Sequence, residues 1–153
     1  MNTQTAITDL ILETFGLNGR LLAWGDALVA DLGLTSARWQ VLGAIALSQA
    51  SLPVAHIARN MGLTRQAVRR LVNEMEADGL VRLAPNPHHQ RARLVLLTER
   101  GQAAYDGAMQ RYAPWTSTLA EGVRVKEIEA AVSVLRNVRR HLDNSAQRED
   151  DDA

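Results

Sequence analysis

The chain has 153 residues, 46% of them hydrophobic and 22% charged, which is enough apolar material for a packed core and excludes wholesale disorder. It contains no cysteine, so disulfides, cysteine-zinc sites, iron–sulfur clusters and thiol redox sensing are excluded. Net charge is zero at pH 7, no apolar run reaches the roughly 20 residues of a membrane span, and Met1 to Asp9 carries no basic cluster ahead of an apolar stretch, so a soluble cytoplasmic protein is expected.

From Thr5 to Leu32, Ile7, Leu10, Ile11, Phe15, Leu21, Leu22, Leu28, Val29 and Leu32 recur at spacings of about three and four. This predicts a helix, bent near Gly16 to Gly19 and closed by Gly33. Thr35 or Ser36 caps a second helix through Ser48, with Trp39, Leu42, Ile45 and Ala46 facing inward. Pro53, a good first-turn proline, opens a short helix to about Asn60, and Gly62 breaks the chain. Thr64 caps the next helix, which stops at Gly79; its Val68, Leu71, Val72 and Met75 follow the i, i+3, i+4, i+7 rule.

Leu80 to Ala84 reads as a short strand, Pro85 to Gln90 as a loop, and Arg91 to Leu97 as the second strand of a hairpin. Thr98 with Gly101 begins a further helix interrupted by Pro114, and a last helix spans about Lys126 to Leu142. Residues 144–153 end in Glu149, Asp150, Asp151 and Asp152 and read as a frayed or disordered acidic tail.

The neutral total hides an asymmetry. Between Pro53 and Arg100, eight arginines stand against four carboxylates, leaving that stretch at +4 and the flanks at −4. Lys126 is the only lysine. Arginine's planar fork suits bidentate contacts to phosphate or guanine. The competing reading, in which these arginines only solvate helix faces, is decided by their spacing.

A short helix, a tight turn at Met61-Gly62-Leu63 and a second helix make a helix-turn-helix. With Val68, Leu71 and Val72 inward, Arg65, Gln66, Arg69 and Asn73 share an outward face and Arg70 lies on its flank. Such a face offers forked donors for guanine and amides for adenine, and the helix N-terminus presents N–H groups toward phosphate. The hairpin that follows, with Arg91 and Arg93, completes a winged helix-turn-helix whose arginine can enter a minor groove. Plain packing units of the same shape occur in enzymes and adaptors, but here face, charge and hairpin agree.

These segments resemble the MarR (multiple-antibiotic-resistance regulator) family over roughly Thr5 to Leu142. The resemblance is carried by Leu34-Thr35 with Trp39 and Leu42, by Val54 to Thr64, by Val68 to Val81, and by Arg91-Ala92-Arg93-Leu94 running into Leu97-Thr98-Glu99-Arg100-Gly101. It implies a mainly α fold with a small β-hairpin wing. Residues 34–101 would form the winged DNA-binding domain, and residues 1–33 and 102–143 a helical dimerisation region. It also implies a homodimeric repressor on a palindromic double-stranded operator, responsive to a small aromatic or anionic effector, with no enzymatic activity and no cofactor.

The expected DNA-binding residues are Thr64, Arg65, Gln66, Arg69, Arg70, Asn73, Arg91 and Arg93, with Arg59, Arg70 and Arg82 on phosphate and Arg91 in the minor groove. One departure stands out: the family's wing usually carries an aspartate two residues before the wing arginine, and here that position is His89. His88 and His89 become alternative phosphate contacts, stronger when protonated. Trp24, Arg38 and His56 are the candidate effector-lining residues implied by the resemblance. The histidines, His56, His88, His89 and His141, have no carboxylate at metal-ligand spacing, so no metal site is expected. Two rival readings remain: a winged-helix protein-interaction adaptor that does not bind DNA, and a small helical enzyme, for which the sequence offers no paired catalytic groups.

Overall fold

A computed structural model describes the backbone of residues 1–151 and the side chains of residues 1–146. Helix α1 (Thr3–Val29) starts on Asn2, whose Oδ1 accepts from the Thr5 N–H at 2.8 Å. Its helical backbone is unbroken through Gly16 and Gly19. A single 3-10 turn (Ala30–Leu32) follows and ends on Gly33 in the left-handed conformation, φ +73°. Helix α2 (Ser36–Ser48) is capped by Thr35. It crosses α1 at Gly25, where a Cβ would lie 2.3 Å from Ser36 Oγ. That hydroxyl donates to the Leu22 carbonyl at 2.8 Å, and the Ser36 N–H donates to Asp26 Oδ1 at 2.7 Å.

Strand β1 (Leu52–Pro53) takes the place where a helix was expected to start. Pro53 is extended (φ −71°, ψ 154°) and serves as the N-cap of α3 (Val54–Met61) instead of its first residue. As the terminal residue of an edge strand, a proline costs the ladder little. Helix α4 (Arg65–Ala77) and the hairpin β2 (Val81–Ala84) and β3 (Leu94–Leu97) follow. Both β1 and β2 pair antiparallel with β3, Leu52 opposite Val95 and Val81 opposite Leu97, so the sheet order is β1-β3-β2. The expected strand from Arg91 is shorter than predicted, because residues 91–93 belong to the turn.

Helix α5 (Glu99–Leu119) begins on Thr98, whose Oγ1 accepts from the Gly101 N–H at 3.0 Å and donates to the Gly79 carbonyl at 2.6 Å. It runs through Pro114 without the expected break. Hydroxyls just beyond the proline bond back to the helix, Thr116 Oγ1 to the Ala113 carbonyl at 3.0 Å and Thr118 Oγ1 to that of Pro114 at 3.3 Å. Helix α6 (Val125–Asp151) includes residues 144–151 of the expected acidic tail; residues 152–153 lie outside the described residues.

The chain forms two units, residues 1–112 and 113–153. The first holds the core, in which Leu42, Ile57, Val68, Val72, Met75 and Val95 are among the fully buried side chains. Thus α4 is held by its apolar stripe against α2, α3 and the sheet, and its opposite face is left in solvent.

Candidate nucleic-acid interface

The turn between α3 and α4 is built from backbone bonds that leave no choice of angle. Gly62, at φ +67°, donates to the Arg59 carbonyl at 3.3 Å, and Leu63 donates to that of Ala58 at 3.0 Å. This is a Schellman closure, which satisfies the last carbonyls of α3. Thr64 then caps α4, its Oγ1 accepting from the Ala67 N–H at 3.1 Å. With Val68, Val72 and Met75 buried, Arg65, Gln66, Arg69, Arg70 and Asn73 are all exposed.

The wing is tied to that helix directly. Glu76 Oε2, on α4, accepts from the backbone N–H of Leu83 on β2 at 3.1 Å. Between α4 and the wing lies a groove of about 530 Å³. Arg65, Arg69 and Asn73 line it from α4, and His89, Arg91 and Arg93 from the wing. Its floor is Pro53, Val54, Ala55, Val72, Leu83 and Ala92. Among the described residues no carboxylate lines it, so four arginines and a histidine share a concavity open to an anionic partner.

The groove therefore unites five of the eight expected DNA-binding residues. Gln66 and Arg70 are exposed on α4 outside it, and Thr64 stands at the helix start, where its hydroxyl is engaged as a cap. Arg59 and Arg82 are exposed on α3 and β2. His89 joins the groove and His88 does not. The floor supplied by Pro53 to Ala55 escaped sequence reasoning because it depends on β1, a strand too short to show a period.

A second concavity, of about 680 Å³, is lined from α2 by Trp39, Gln40, Gly43, Ala44, Leu47 and Ser48, from α3 by Asn60 and Met61, and from α5 by Tyr105, Met109 and Tyr112. Trp39 and Tyr112 meet edge to face, with ring centroids 5.3 Å apart at 85°. None of Trp24, Arg38 and His56, the residues expected at an effector site, lines it. Arg38 is held by the fold: its Nη1 lies 2.7 Å from Asp78 Oδ2 and 3.3 Å from the Gly33 carbonyl, with only 18% of its side chain exposed. His56 is exposed on α3, and Trp24 is half-buried on α1. Among the described residues, no cationic side chain lines this cleft.

The cleft's α5 wall is anchored to the end of α1. Arg111 donates to both carboxylate oxygens of Asp31, at 2.8 Å from Nη2 to Oδ2, and to the Leu28 carbonyl at 2.8 Å. The hydrogen-bonded guanidinium holds the Asp31 carboxyl below its ordinary range. Among the described residues, no helix is long and apolar enough to cross a membrane.

Comparison with known proteins supports this geometry. A family model described as the MarR family matches residues 32–92. The uncharacterized protein Rv2011c of Mycobacterium tuberculosis is 34% identical over 132 residues, which cover 86% of this chain and 91% of that protein. The crystal structure of the M. tuberculosis transcriptional regulator MosR in complex with DNA superposes with a TM-score of 0.72 at 20% identity, covering 88% of this chain and 96% of that one. CouR from Rhodococcus jostii RHA1, bound to p-coumaroyl-CoA, gives a TM-score of 0.72 at 24% identity over 80% of this chain and 86% of that one.

Proposed function

The chain belongs to the MarR family of DNA-binding transcription regulators, and from that membership we propose that it is a homodimeric, effector-responsive repressor acting on a two-fold symmetric operator. The observation that carries the reading is the carboxylate-free groove between α4 and the wing. With α4 in the major groove, Arg65, Gln66 and Arg69 face base edges and Asn73 lies further along the same side. Arg91 reaches the neighbouring minor groove, with Arg93 beside it. Thr64, Arg59, Arg70 and Arg82 surround this footprint as contacts to phosphate.

Dimerisation falls to α1 and α6. Both carry apolar side chains that the single chain leaves in solvent, among them Leu12 and Phe15 on α1 and Ile128 and Leu142 on α6. The cleft of Trp39, Tyr105 and Tyr112 suits a ring-bearing effector, as CouR was crystallised with p-coumaroyl-CoA. An effector that binds better to a dimer with altered spacing of its two α4 helices draws the population away from the DNA-competent form.

The test is binding of the purified protein to genomic fragments, beginning with DNA flanking its own gene, across a salt series. Selective binding in the nanomolar range that weakens as salt rises is the expected result. Equal affinity for random DNA, or none, from a folded dimer would overturn the reading in favour of a protein-interaction adaptor.

A further inference from the structure

Among the described residues that line the groove, one imidazole stands with the four arginines, that of His89 in the wing loop. Asn86 organises that loop twice: its Oδ1 accepts from the His88 N–H at 3.0 Å, and its carbonyl accepts from the His89 N–H at 3.3 Å. The His89 carbonyl in turn accepts from the Ala92 N–H at 3.1 Å. His89 thus sits where two successive turns meet, its backbone bonded through both its N–H and its carbonyl. His89 lines the groove, whereas His88 does not.

The surroundings of His89 within the groove are one-signed. From α4 come Arg65 and Arg69 with the neutral Asn73, and from the wing Arg91 and Arg93. From β1 and α3 come Pro53, Val54 and Ala55, and from β2 Leu83, none of which titrates. Arginine keeps its charge across the whole physiological range, while an imidazole ordinarily changes charge near pH 6.5. A phosphate within reach of an imidazole favours the charged form.

We infer that His89 is a DNA-contacting residue whose contribution is switched by its own protonation: duplex binding takes up a proton on the His89 ring, and affinity falls as pH rises through neutrality. The inference rests on the DNA-binding reading above and deepens it. The arginines supply constant attraction, and His89 makes the total depend on pH. The sign follows from linkage. If the bound state holds more protons than the free state, raising the pH pulls the equilibrium toward release.

The test uses fluorescence anisotropy of a labelled mixed-sequence duplex at about pH 6 and about pH 8, each over a salt series. The wild-type chain should bind about three- to tenfold more weakly at the higher pH. Its log–log salt slope should be steeper at the lower pH by about 0.9, the signature of one additional phosphate neutralised. His89→Gln should show the weak, high-pH affinity at both pH values, His89→Lys the tight affinity at both, and His88→Gln should behave as wild type. If His89→Gln keeps the full pH dependence, or if wild type has none, the inference fails while the DNA-binding reading stands. If a folded wild-type dimer binds no duplex at either pH, the DNA-binding reading itself fails and takes this inference with it.

Discussion

Two glycines set how closely the helices of the first unit approach their neighbours, and they differ in what obstructs a side chain. At Gly101, in the first turn of α5, a Cβ would lie 1.9 Å from the carbonyl oxygen of Leu80, an atom of the backbone that leads into β2. At Gly25 the obstacle is the Ser36 hydroxyl, 2.3 Å away, which can rotate if it gives up its bond to the Leu22 carbonyl. Backbone yields less readily than a hydroxyl rotor. Gly101→Ala should therefore destabilise the fold by about 1–3 kcal/mol or more, partly offset by alanine's better helix propensity, and Gly25→Ala should cost less. Denaturant unfolding of both variants checks the order; the reverse order would mean that the start of α5 can move away from Leu80.

At the scale of the element, α4 separates the residues that pack from those proposed to read DNA. Its inner stripe holds the fold and its exposed Arg65, Arg69 and Asn73 line the groove, so truncation of these three should leave stability nearly unchanged. Arg69→Ala is expected to cost about 1–3 kcal/mol on the cognate site with little change on random duplex, measured by titration of both DNAs. Equal losses on both would make Arg69 a phosphate contact.

That division was legible in the sequence because it rests on local chemistry: Thr64 as a cap, Gly62 as a left-handed stop, and an apolar period of 3.6. The hairpin was legible for the same reason, from Pro85 to Gln90. What could not be read depends on partners distant in the chain. Strand β1 has two residues and exists only because β3 pairs with it, so Pro53 looked like a helix start. Pro114 looked like a break, yet α5 continues through it with the hydroxyls of Thr116 and Thr118 bonded back along the helix. The aromatic cleft joins Trp39 to Tyr105 and Tyr112, residues that no sequence period connects, and Arg38 belongs to Asp78, 40 positions away.

At the scale of the whole molecule, charge and apolar surface are segregated along the chain. The stretch from Pro53 to Arg100 carries the positive excess and the flanks the matching negative one. An incoming duplex is thus attracted to the arginine-rich winged segment, and the helical segments before and after it in the chain carry no such positive excess. Those helices carry the apolar excess instead. Ile11, Phe15 and Leu22 recur at helical spacing on α1, and Phe15 is 71% exposed in the single chain. A side chain so exposed contributes little to the monomer's own core, so changing it should act on association more than on folding. Phe15→Glu would place a charge in an apolar interface with no cation supplied to meet it. Sedimentation should show the dimer of the wild-type chain giving way to monomer, with the circular dichroism spectrum retained. Because a two-fold site is held at both ends at once, losing the partner should also weaken operator binding by about a hundredfold or more. A Phe15→Glu chain that stays dimeric and binds as wild type would place the interface away from this part of α1.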